Sequence, residues 1–197
     1  MKRTCMFLIV SLFLVFTACD LDDDDGVDEE LPAITTAGLN TFGCLINGQV
    51  YVPKKGSFCL DCANTPKLQL TYGEIFEGYR FALGTHNDID GYVSMTLELF
   101  NGLEPLTEGE YSLSQTILEG NDIPIANASC WINKKISGEK IESEFYSNEN
   151  IGGVLEIIKI DEEKKFISGT FYFSALDGNG QFVNITDGRF DVTYKSF

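Results

Sequence analysis

Few residues of this 197-residue chain can carry chemistry by type alone: six cysteines, one histidine and thirty carboxylates. Cys59 and Cys62 form a C-x-x-C within "PKKGSFCLDCANTP". A redox motif of that spacing needs a helix start after a strand, whereas Pro53, Gly56 and Pro66 mark a loop here. A zinc site wants a second close pair, and Cys44 and Cys130 each stand singly and far away in sequence. These four cysteines therefore read as candidate disulfide partners, with three possible pairings, or as free thiols. Cys44 shares the expected inward face with Phe42 and Ile46, and Cys130 shares it with Ile132, so the two are bridged or simply buried. His86 would have to serve any Ser-His-Asp or Cys-His arrangement. It stands in "THNDIDG", a polar turn by composition with Asp88 and Asp90, and no G-x-S-x-G accompanies it. The Asp-rich turns "NDIDG" and "DGNG" lack the six to eight oxygens of a calcium shell, and Asp, Asn and Gly are what tight turns demand anyway. No metal, cofactor or catalytic set is expected.

Two further groups remain. Glu142 and Glu144 share a strand face about 7 Å apart by strand rise, a spacing of interest for glycoside hydrolysis. That face is the charged, outward one, and a hydrolase needs a buried, perturbed pair. Trp131 alternates with Cys130 and Ile132, so it points outward, and Tyr51, Tyr92 and Tyr146 share that off-core parity. Exposed aromatics on a β-sheet offer flat platforms for sugar rings.

The elements that must position these side chains are strands. "VSMTLELF" sets Val93, Met95, Leu97 and Leu99 on one face and Ser94, Thr96 and Glu98 on the other, a half-buried antiparallel strand. "KLQLTY", "YRFAL", "IESEFYS", "ISGTFYFSA" and "RFDVTY" alternate in the same way, and "GVLEIIKI" is apolar on both faces. Asn47-Gly48 and Asp187-Gly188 each read as a two-residue hairpin turn, and "DGNG" at 177–180 as a slightly longer one. "SLSQTILEG" could add a helical turn. About ten strands without βαβ alternation predict an all-β domain, an antiparallel β-sandwich or, alternatively, a closed calycin-like β-barrel. A net charge of −16 sets nucleic acid aside as a partner, because the chain repels phosphate backbones.

The N-terminus carries an address. Lys2 and Arg3 precede the apolar run "MFLIVSLFLVFTA", which rises about 20 Å as a helix against a hydrocarbon core of about 30 Å, too short to span and consistent with an export signal. "FTAC", residues 16–19, resembles the lipobox of bacterial lipoproteins, with Phe16 where Leu is usual. The resemblance implies removal of residues 1–18 with Cys5, and acylation of Cys19, which anchors the chain to a membrane through two or more acyl chains. The acids of "DLDDDDGVDEE" repel one another and form an extended tether, so residues 19–40 are tether and residues 41–197 the domain. The run also resembles the acidic signal that sends such lipoproteins to the outer face of the outer membrane. A competing rule reads Asp directly after the lipid cysteine as inner-membrane retention; the whole acidic block favours the exterior.

"LNTFGCLINGQVYVP", "EGEYSL" and "ISGTFYFSALDGNGQFVNITDGRFDV" resemble the entry segment, a short mid-domain strand and the closing strands of a family of all-β lipoproteins of Bacteroidetes bacteria. That resemblance implies an all-β domain on a lipid anchor and brings no catalytic residues with it. The expected function is binding of a glycan or protein at the cell surface. The alternatives are a carboxylate-dependent hydrolase and a structural envelope component without a small ligand.

Overall fold

The computed structural model describes residues 30–54, 66–76, 78–89, 91–114 and 126–197. The described residues form eleven strands and no helix: β1 (Thr41–Ile46), β2 (Gln49–Tyr51), β3 (Leu68–Ile75), β4 (Gly78–Asn87), β5 (Gly91–Phe100), β6 (Gly109–Ser112), β7 (Ala126–Ile136), β8 (Glu139–Tyr146), β9 (Gly153–Asp161), β10 (Phe166–Leu176) and β11 (Phe182–Lys195). The all-β expectation holds. The expected signal peptide, Cys19, the acidic run up to Glu29, the Cys59–Cys62 motif, Asp90 and most of "SLSQTILEG" lie outside the described residues.

The strands form one sheet in the order β2-β1-β11-β3-β4-β5-β7-β8-β10-β9-β6, and an added β10–β11 pairing closes a ring from β11 through β3, β4, β5, β7 and β8 to β10. Neighbours are antiparallel except β11 and β3, which run parallel where Tyr194 meets Leu70. β10 and β11 make the closure possible because each changes partner along its length. β10 pairs with β9 from Phe166 to Phe173, and its last residue, Leu176, meets Tyr146 of β8. β11 pairs with β1 up to Asp191 and reaches β3 only at its end.

Bulges bend these long strands, and one of them replaces an expected turn. Asp187-Gly188 is no hairpin: β11 runs straight through it, and the register shifts there against both β1 and β10. Asp187 takes a positive φ of 52°, and a Cβ at Gly188 would lie 2.5 Å from the Phe171 ring. A two-residue turn and a bulge both call for residues that tolerate positive φ, which is why the dipeptide suits either. Asn47-Gly48 does turn the chain, with φ of 48° and 82°.

Alternation places the core as expected. Val93, Met95, Leu97 and Leu99 of β5 are buried, as are Phe81 and Leu83 of β4 and Phe171 and Phe173 of β10. Their side chains fill the space inside the ring. Among the described residues, the entering chain covers part of the outer face. Residues 31–40, assigned to the tether by composition, lie along β11 and β10, where Gly38 packs on Phe166. Asp191, 1% exposed, holds them: it accepts hydrogen bonds from the Thr35 hydroxyl (2.7 Å), the Ala37 N–H (2.9 Å) and the Gly38 N–H (2.7 Å). Burial pushes its carboxyl up, but these bonds and a further one from Leu39 outweigh that and hold it below the ordinary carboxylate range.

Candidate functional site

Strands β4, β5, β7 and β8 turn a common outer face to solvent. Their register sets His86, Ser94, Trp131 and Glu144 in one row across the strands, with Gly84, Thr96, Ser129 and Tyr146 in the next. Tyr92 stands one row beyond His86, and its ring lies 4.9 Å from that of Trp131 and nearly parallel to that of His86, 6.3 Å away with 11° between the planes. Trp131 is 42% exposed and Tyr146 50%. Three aromatic rings from three strands thus form a continuous ladder, with Tyr146 beyond it.

Three of the four expected aromatics therefore lie on this face. Tyr51 does not. It is buried in the core, and its hydroxyl lies 2.9 Å from that of Thr85. The Asn47-Gly48 hairpin pairs Tyr51 with Cys44, and directly paired residues point to the same side of a sheet. Since Cys44 was already read as inward, the turn register carried the correct answer.

His86 also moves. It belongs to strand β4, not to a turn, and its ring faces outward against Tyr92. The sequence hid this because "THNDIDG" mixes strand end and turn. The histidine serves as one rung of the aromatic ladder.

Cys44 and Cys130 are buried free thiols. Burial raises both; Cys130 is pushed up to about 12, and Cys44 feels the neighbouring Cys130 as well. Thiols held protonated at neutral pH are poor nucleophiles. In native protein both are expected to resist iodoacetamide, with peptides carrying them labelled only after denaturation. Rapid native labelling of either, read by mass mapping, would show that the core opens.

The carboxylate pair gives no acid–base site. Glu142 is exposed and bonded to Lys140 at 2.6 Å, which lowers its pKa, and Glu144 accepts the Tyr146 hydroxyl at 2.9 Å. A general acid needs the opposite shift. Asp177 of "DGNG" spends its oxygens on the Ser143 hydroxyl and the N–H groups of Asn179 and Gln181, which close the β10–β11 turn. Among the described residues no group of three or more His, Cys, Asp or Glu is placed to hold a metal.

Fold and surface together define an all-β protein with an open aromatic face. No family model matches the chain, and neither does any curated protein or solved structure.

Proposed function

We propose that this is a lipid-anchored outer-membrane protein, facing the cell exterior, whose β-domain captures glycans on the outer face of β4, β5 and β7. The carrying observation is the ladder of Trp131, Tyr92 and His86, an exposed indole beside two half-buried rings close enough to form one aromatic surface. The apolar C–H faces of sugar rings stack on such a surface, while their hydroxyls stay at the rim where water or side chains reach them. The lipobox-like "FTAC" and the acidic run after Cys19 support the address.

The placement of the entering chain supports the same reading. Residues 31–40 arrive on the outer face at β11 and β10. In the ring, β5 stands three strands from β11 in one direction and three from β10 in the other. A domain held at Asp191 therefore carries its aromatic ladder on the far side from its attachment.

Trp131 is the chain's sole tryptophan, so its fluorescence reports the platform directly. Titration with oligosaccharides is expected to shift that emission, and Trp131→Ala is expected to weaken glycan retention about tenfold or more in affinity electrophoresis. Retention unchanged in the variant would remove the platform from the function. Capture of proteins but no glycans would favour a protein-interaction surface instead.

A further inference from the structure

A groove of about 380 Å³ runs beside the ladder on the outer surface of β3, β4 and β5. Volumes of about 300–1,000 Å³ are usual for small-ligand sites. His86 and Tyr92 wall one end, Gln69 stands on one bank, Ser94 and Thr96 on the other, and Gly84 lies on the floor between Gln69 and Thr96.

Three observations give this groove a chemistry. First, the wall is aromatic: the His86 and Tyr92 rings border it together, their planes 11° from parallel. Second, the side chains of Gln69, Ser94 and Thr96 are not bonded to other described residues, so an amide and two hydroxyls remain open to a ligand. Third, among the described residues no Lys, Arg, Asp or Glu lines the groove, in a chain where 22% of residues are charged. A charged ligand would find no counter-charge there, and an anion would also meet the repulsion of a net charge of −16.

Gly84 sharpens the case. Its backbone lies outside the positive-φ region, and a Cβ built on it meets no atom of the described residues within 4 Å. Neither backbone conformation nor packing calls for glycine at this position. Glycine inside a strand costs stability and often marks a place where a ligand approaches the backbone closely. A larger residue would fill the groove floor.

We propose that this groove is a subsite for one neutral hexopyranose unit of a glycan, its ring face on the His86–Tyr92 wall and its hydroxyls on Gln69, Ser94 and Thr96. The proposal rests on the reading of the outer face as glycan-binding, and its test separates the two. The purified chain is titrated with cellohexaose, maltohexaose and mannohexaose, and with hexagalacturonate as the anionic counterpart. Binding is read by Trp131 fluorescence and by calorimetry, and thermal unfolding is run on every variant.

At least one neutral hexaose is expected to bind, and hexagalacturonate not. Gly84→Val is expected to weaken that binding about tenfold or more, while its melting temperature holds or rises, because valine suits a strand and meets no obstacle there. Gly84→Ser, with a smaller side chain, should fall between. Gly84→Val binding like the wild type, with Trp131→Ala defective, would overturn the groove and leave the platform standing. Binding of hexagalacturonate in preference to every neutral hexaose would overturn the chemistry proposed for the groove. Silence toward all of these sugars would overturn both.

Discussion

Asp191→Asn is expected to destabilise the domain by about 3 kcal/mol at pH 7 and to free residues 31–40 for proteolysis. The carboxylate accepts one hydroxyl and two backbone N–H bonds within 2.9 Å, and it is nearly closed to solvent. Hydrogen bonds to a charged group contribute about 1.5–3 kcal/mol each, and donors left buried without an acceptor cost about 1–3 kcal/mol. Asparagine keeps one acceptor oxygen and turns an NH₂ toward the remaining donors. The pH dependence has a definite sign. The folded-state pKa of Asp191 is depressed, so its stabilisation is fully present above the unfolded value of about 3.9 and is lost as pH falls through the lower folded value. Urea midpoints of wild type and variant should therefore differ at pH 7 and converge in acid. Equal midpoints at pH 7 would mean that the segment rests on β11 without being held.

Much of the architecture was legible because it is local. "VSMTLELF" buries the four residues its alternation names, and Asn47-Gly48 turns as its dipeptide demands. Trp131 and Tyr92 could be placed outward by parity alone. What escaped depends on distant partners. Asp191 alternates within "RFDVTY" like any strand acid, and only residues more than 150 positions away, in an unpatterned stretch, make it a buried clamp. The choice between a sandwich and a closed ring stayed open for a related reason. It hangs on β10 and β11 each changing partner along its length, and the bulge within β11 carries the same Asp-Gly chemistry as a turn. In the site, the ladder was half legible: facing directions follow from period two, but the neighbourhood of His86, Tyr92 and Trp131 follows from the pairing of β4 with β5 and β7. Gly84 gave no signal at all, since its meaning lies in what its missing side chain does not touch.

Gly153→Ala should cost the fold about 3 kcal/mol or more, and the contrast with Gly84 explains why. Gly153 opens β9 opposite Phe173, and a Cβ there would collide with the backbone carbonyl of Tyr172 and with Phe173. On its other side the Gly153 carbonyl accepts the Leu113 N–H at 2.8 Å, and the neighbouring Gly152 faces the Leu113 carbonyl, 2.7 Å from where its own Cβ would lie. β9 is thus threaded between two backbones at this point. A flexible side chain can swing away from an added methyl, but a paired backbone cannot, so the strand must separate from β10 or lose its register. Overpacking in a core typically costs about 1–3 kcal/mol, and a main-chain obstacle belongs at or above the top of that range. At position 84 the identical substitution meets open space and removes backbone freedom from the unfolded chain, so Gly84→Ala should stabilise by about 0.5–1 kcal/mol. Urea unfolding of the two alanine variants checks both, and midpoints moving in the same direction would undo the argument. Opposite signs would set these two glycines apart: Gly153 is one that the threading of β9 requires, and Gly84 is one that the fold can spare.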